Sequence, residues 1–184
     1  MMTNISPETL RNNTRVCKLL AQSFYFDLET QGSVLNSFKI KGDWLPIARE
    51  AAGGAFLLST SGYLLYVTSE GGAGVIAASL KEGLQLMVTF PYWNSLLHFS
   101  GGGDIAKMRR AVPYLEQDLL AYEPEIEHYR SFLKSELSLP EASDPIALLH
   151  YAVEVLSPGV EFDLSVGEEF HSLFNTLTID NTLF

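Results

Sequence analysis

The side chains best spaced for chemistry are two Glu-x-x-His pairs, Glu125 with His128 and Glu168 with His171. On a helix, a step of three residues brings both side chains to one face. Two such pairs plus two further glutamates build a carboxylate-bridged di-iron site, and Glu116 and Glu154 are available to complete the set. That chemistry needs four long helices facing one another. The first half of this chain reads as strands, so a metal-dependent Glu/His enzyme stands only as an alternative. The leading expectation is a protein with no catalytic residue, no metal and no cofactor. No HExxH occurs, and His98 and His150 add no ligand spacing; the Leu-rich surroundings of His150 suit a core or helix-surface histidine.

A second candidate lies in LLYVTSEGGAGVIAASLKEGL, Leu64 to Leu84, where Gly72-x-Gly74-x-x-Ala77 approaches a dinucleotide-binding turn. Such a turn needs a strand before it, a helix after it, a parallel strand next, and an acid near that strand's end. The first two conditions are met. The last two fail, because TFPYWNSLL, with Pro91 and Trp93-Asn94, does not read as a buried parallel strand. The glycines are better explained by the fold. Glu70-Gly71-Gly72 suits a tight connection with positive φ, and Gly74 with Ala77-Ala78 lets backbones approach closely. Neither GxxxxGK[ST] nor GxSxG is present. Cys17, the single cysteine, sits among Val16, Leu19 and Leu20 and reads as a core thiol. Ser100 has no assigned base. Gly101-Gly102-Gly103 could cradle an anion at a helix start, but Asp104 at the cap would repel one.

The surrounding pattern says what must hold these residues. Ser6-Pro7-Glu8 opens a helix expected to reach about Ala21. Phe24, Tyr25, Phe26 and Leu28 suggest a strand. Thr30-Gln31-Gly32 reads as a turn, and Val34, Leu35, Phe38 and Ile40 as a second strand closed by Lys41-Gly42-Asp43. Pro46 discourages a helix through Trp44-Leu45. AFLLS and YLLYVTS, separated by Thr60-Ser61-Gly62, form a hairpin of central strands covered on both faces. VIAAS is a short strand leading into a helix over about Ser79 to Val88, with Leu80, Leu84, Met87 and Val88 on one face. Asp104 caps a helix from Ile105 that Pro113 could kink. Glu123 to Leu137 reads as a second C-terminal helix, and Ser143-Asp144-Pro145 starts a third that reaches Leu156 and ends at Ser157-Pro158-Gly159. Tyr92, Trp93 and Phe99 suit packing under the sheet, or else an exposed anchor for a partner. Strands come early and helices late, which predicts an α+β fold. Its central, mainly antiparallel sheet falls in the N-terminal two-thirds, followed by a helical, acidic C-terminal third from about residue 104 to 184.

Length and composition fit one domain over residues 1–184. The chain is 47% apolar and 18% charged, enough to build a core. No apolar run is long enough for a membrane-spanning helix, and MMTNISPETLRNN lacks the basic and apolar regions of a secretory signal. A cytoplasmic location is expected. The net charge of -10 disfavours direct contact with nucleic acid or anionic membranes. It is unevenly placed: residues 1–115 hold ten Lys/Arg and eight Asp/Glu, whereas residues 116–184 hold two bases, Arg130 and Lys134, and fourteen acids. Such a surface is either a solubilising one or one that attracts a basic partner.

GDWLPIAREAAGGAFLLSTSG followed by LLYVTSEGGAGVIAASLKEGLQL resembles the middle of the SUKH superfamily. The matching residues are Leu45, Pro46, Ile47, Ala48, Gly53, Gly54, Glu70, Ile76, Ala77 and Ser79, with Gly71, Gly72 and Gly74 in the same turn. The resemblance covers residues 42 to 90. It implies an α+β fold around a mostly antiparallel sheet, and a protein that acts by binding rather than catalysis. Many bacterial members look like immunity proteins that neutralise secreted toxins, often nucleases. Others are relatives of fungal cell-wall-synthesis regulators and of the Syd protein. The expectation is therefore a non-enzymatic immunity protein that meets a basic toxin domain. Candidate contacts are Glu116, Asp118, Glu123, Glu125, Glu127, Glu161, Asp163, Glu168 and Glu169. A secretion- or phage-associated adaptor is a further alternative.

Overall fold

Ser6 begins the first helix by exchanging hydrogen bonds with Thr9: its hydroxyl accepts from the Thr9 amide, and the Thr9 hydroxyl accepts from the Ser6 amide. In this computed structural model, which describes residues 5–28, 42–141, 144–160 and 171–175, that helix is short. It spans Pro7–Arg11 (α1), and a second helix follows over Thr14–Ser23 (α2). The single helix expected to about Ala21 is divided because the Asn13 side chain accepts from the Val16 amide and caps a new start.

The strand expected over Phe24–Leu28 is reduced to one bridge. Asp27 exchanges both backbone hydrogen bonds with Arg49, but Tyr25 adopts φ 55° and the Phe26 amide turns back to the Leu20 carbonyl. This left-handed residue interrupts the extended chain while Phe24, Phe26 and Leu28 stay buried. The second strand expected, Val34 to Ile40, and the Thr30-Gln31-Gly32 turn lie outside the described residues.

Four strands form an antiparallel meander: Trp44–Arg49 (β1), Ala55–Ser59 (β2), Leu64–Val67 (β3) and Ala73–Ala77 (β4), in spatial order β1-β2-β3-β4. The sequence-based expectation of a central hairpin holds, with β2 and β3 in the middle. Side chains alternate between two buried faces. Phe56 pairs with Tyr66, and Leu57 with Leu65 on the opposite face. The first face carries Ile47, Phe56, Leu64, Tyr66 and Ile76 in the main core. There Phe26, Phe56, Tyr66 and Trp93 stack with centroids 4.9–5.0 Å apart along the chain of contacts Phe26–Phe56, Phe56–Tyr66 and Tyr66–Trp93. The second face carries Ala55, Leu57, Leu65, Val67, Ala73 and Val75, covered by Ala152, Leu156 and Val160.

Helices fill the rest: Leu80–Thr89 (α3), Trp93–His98 (α4), Ile105–Tyr122 (α5), Ile126–Glu136 (α6) and Pro145–Tyr151 (α7). Ser79 caps α3, and Leu80, Leu84, Met87 and Val88 are buried as their spacing predicts. Asp104 caps α5, which continues through Pro113 without a break. The second C-terminal helix starts at Ile126 rather than Glu123, because Glu123 and Pro124 form the turn before it. The third is capped by Asp144 and loosens after Tyr151 into a π-helical turn, Ala152–Leu156, and a 3-10 turn, Ser157–Gly159. The architecture is α+β, with its helices including C-terminal ones. Among the described residues, no helix is long and apolar enough to cross a membrane.

Each edge strand carries features that disfavour further pairing. Pro46 removes a donor from β1, and the Arg11 guanidinium bonds the Ile47 carbonyl. On β4, the Ser157 hydroxyl takes the Val75 amide at 2.8 Å, and Gly72 bridges His171 in parallel.

Candidate functional site

The corner between α5 and α6 gathers most of the described acidic candidates. Asp104 fixes the start of α5 by accepting from the Ala106 and Lys107 amides at 2.8 and 3.3 Å. Only Met108 and Ala111 of this helix are fully buried, so the helix presents a long outer face. Tyr114, Leu120 and Tyr122 are exposed on it, Tyr122 at 81%. The chain then turns through Glu123-Pro124-Glu125, and buried Ile126 anchors α6. Residues 111–129 contain no Lys or Arg.

The acids at this corner fall into different states. Asp118 and Glu125 are exposed, and their carboxylates have no partner among the described residues. Glu123 is half-buried and accepts from the Ser23 hydroxyl at 3.0 Å. Glu127 is 65% exposed and bonds Arg130 from one turn away. Glu116 is committed inward. Both its oxygens receive the Arg130 guanidinium, at 2.6 and 3.0 Å, and the Tyr92 hydroxyl donates to it at 2.6 Å. Burial pushes the Glu116 carboxyl up, but the Arg130 fork and the Tyr92 hydroxyl outweigh it and hold the group below the usual carboxylate range. Burial, then the bond to Glu116, pushes the Tyr92 hydroxyl up. Burial alone would lower the Arg130 pKa, but its bonds to Glu116 and Glu127 raise it. Arg130 is itself buried, and its Nε is left without a partner. Glu116, expected as a docking charge, is thus also bonded inside the fold while its side chain remains 27% exposed. Glu161, Asp163, Glu168 and Glu169 lie outside the described residues.

This buried Tyr92–Glu116–Arg130 network was not anticipated from the sequence. One signal was present: Arg130 is a lone arginine in a long acidic stretch, where a neutralising role inside the fold is a natural use.

The described members of the carboxylate–histidine set are dispersed. Glu125 is the cap residue of α6, and the His128 ring lies against Tyr129. His171 sits in the bridge to Gly72 rather than on a helix. Glu154 pairs with His150 Nδ1 at 3.3 Å, and His150 Nε2 lies 2.7 Å from the Gly103 carbonyl. Glu116 is held by Arg130. Among the described residues, no three His, Cys, Asp or Glu side chains converge as metal ligands do.

The glycine-rich turn is filled by the protein itself. Gly71 has φ 88° in the β3–β4 connection, whose Thr68 hydroxyl accepts from the Gly72 amide at 2.8 Å. Gly74 lies within β4, where an added Cβ would stand 2.9 Å from Ser157 Oγ and 3.1 Å from Leu173 Cδ1. The remaining motif residues are structural in the same way. Pro46 sits at a register shift in β1, Gly53 has φ 98° in the β1–β2 turn, Gly54 packs under the Tyr66 ring, and Glu70 is exposed at the tip of the β3–β4 turn. Cys17 is buried and donates to the Leu10 carbonyl. Trp93 is in the core, and Tyr92 packs partly against it. No protein-family model, no curated protein and no solved structure matches the chain.

Proposed function

We propose that this chain is a non-enzymatic binding protein of the immunity type, which neutralises a basic, nuclease-like toxin by docking on the α5–α6 corner. The observation that carries this is the exposed acidic corner itself, whose stretch 111–129 holds no Lys or Arg, with Arg15 and Lys18 of α2 lying against its His128 and Tyr129. It carries exposed Asp118, Glu125 and Glu127 and half-buried Glu123 along the stretch that also holds exposed Tyr122 and Leu120. Carboxylates attract a basic surface over distances up to the screening length, about 10 Å at 0.1 M salt, and speed encounter. An exposed tyrosine gives such a surface an apolar, hydrogen-bonding anchor. The resemblance of residues 42–90 to the SUKH pattern supports the same function, since members of that superfamily act by binding. A toxin domain shaped to hold nucleic acid carries the complementary charge.

The test is capture from the source organism's lysate and secreted fraction at low and high salt, read by mass spectrometry. A basic protein held at low salt and released at high salt, toxic when expressed alone and harmless when co-expressed with this chain, is the expected result. Charge reversal of Glu123, Glu125 and Glu127 together should slow association with it about tenfold at low salt. An unchanged on-rate would remove the corner from the interface.

A further inference from the structure

We infer that a recess beside α5 receives one arginine side chain of the docking partner. The inference rests on the docking function proposed above and gives it a point of insertion.

The recess has a volume of ≈ 250 Å³ and is lined by Phe99, Ala111, Tyr114, Leu115, Gln117 and Asp118. Its chemistry divides cleanly. Buried Ala111, with half-buried Leu115 and Phe99, makes an apolar floor, and the Tyr114 ring forms a half-exposed wall. Gln117 and Asp118 are exposed at the mouth. Tyr114 and Asp118 are four residues apart on α5, so ring and carboxylate stand on one face, one turn from each other. The Asp118 carboxylate has no hydrogen bond or ion pair among the described residues. Arg110, on the same helix, stands one turn before Tyr114 and two turns, about 12 Å along the axis, from Asp118.

An arginine fits each part of this arrangement. Its methylene stem covers the apolar floor while the head remains at the mouth. Its planar guanidinium lies against an aromatic ring and presents paired N–H groups to a carboxylate. An anion would meet the Asp118 charge, and a wholly apolar group would leave that carboxylate facing hydrocarbon. The recess opens beside the Tyr114–Asp118 stripe of α5, which continues one turn on to exposed Tyr122.

The experiment is an amide-resolved NMR titration of the full chain with acetyl-arginine-N-methylamide. The citrulline counterpart, equal in shape but uncharged, serves as control. Expected are saturating shifts gathered at Ala111, Tyr114, Leu115, Gln117 and Asp118. Asp118→Asn should weaken the arginine probe about tenfold, because a charge-assisted hydrogen bond is lost. It should leave the urea midpoint in place, since the side chain is exposed and unpartnered. Citrulline should bind about tenfold more weakly than arginine in the unaltered chain. Shifts spread evenly over the acidic surface, an equal response to citrulline, or an Asp118→Asn protein that binds as before would each overturn the recess. The two proposals separate cleanly. A site-specific arginine response with an unchanged on-rate in the Glu123, Glu125 and Glu127 reversal keeps the recess and removes those acids from docking. Slowed association with no localised arginine response does the opposite.

Discussion

Two tyrosines in this protein donate to glutamates, and the pairs differ in what stands behind the carboxylate. On the sheet, the Tyr66 hydroxyl reaches Glu50 Oε2 at 2.5 Å. At the helical corner, the Tyr92 hydroxyl reaches Glu116 Oε2 at 2.6 Å. Both phenols are pushed up, first by burial and next by the bond to their glutamate. Glu50 has no other side-chain partner among the described residues. Glu116 has the buried Arg130 fork, which Glu127 shares. The sheet pair is thus a polar edge on an aromatic stack, where Tyr66 also touches Phe56 and Trp93. The corner pair is a charged clamp that joins α4's entrance to α5 and α6. The difference teaches that not every acid of the acidic third is surface charge. Of the five described candidate docking carboxylates, Glu116 is a counter-ion to buried Arg130, while Asp118 and Glu125 have no partner among the described residues.

Breaking the clamp should have the largest effect. Arg130→Met leaves Glu116 partly buried without its counter-ion and is expected to cost about 2 kcal/mol in urea unfolding. This is below the roughly 3–5 kcal/mol of fully buried pairs, because Glu127 is mostly exposed. A loss within about 0.5 kcal/mol would reduce the clamp to a surface contact. Removing the hydroxyls sharpens the contrast at a smaller scale. Tyr66→Phe is expected to cost about 1 kcal/mol, and Tyr92→Phe about half that, since Arg130 still satisfies both oxygens of Glu116. Equal losses in the two variants would show that Arg130 does not compensate at the corner.

Much of the scaffold around these pairs was legible in the sequence. The β2–β3 hairpin could be read from two apolar runs around Thr60-Ser61-Gly62, and α3 from the spacing of Leu80, Leu84, Met87 and Val88. The caps at Ser6 and Asp104 were legible because a cap is local chemistry, a short side chain accepting from the next turn. The misreadings had local causes as well. Asn12-Asn13 reads as ordinary helix surface until Asn13 is seen capping α2. Tyr25 gives no sign that it adopts positive φ, because tertiary packing of Phe24 and Phe26 on either side of it imposes that conformation. The site was harder to read. A count of acids assigns charge to a segment but cannot tell Glu116 from Asp118, two residues on. Helical geometry points them in different directions, one toward Tyr92 and Arg130 and one toward solvent. That separation depends on contacts among residues 92, 116 and 130, which no local pattern encodes.

The acid limb of stability isolates the corner's charge from its packing. The folded state holds the Glu116 carboxyl below its ordinary value of 4.5, so folding favours the ionised form. The sign follows from linkage. The unfolded chain binds the proton more readily, so the contribution is complete above the unfolded pKa and is lost as pH falls through the folded one. The urea midpoint of the unaltered protein should therefore decline from about pH 4.5 downward, in part through this group. Glu116→Gln keeps the size and an oxygen for Tyr92 and Arg130 but removes the titration. Its midpoint should start lower at neutral pH, because the charged partner of Arg130 is gone, and should fall less steeply on acidification. Parallel acid limbs in the two proteins would mean that other carboxylates set the slope, and that Glu116 holds the corner by hydrogen-bond geometry rather than by its charge.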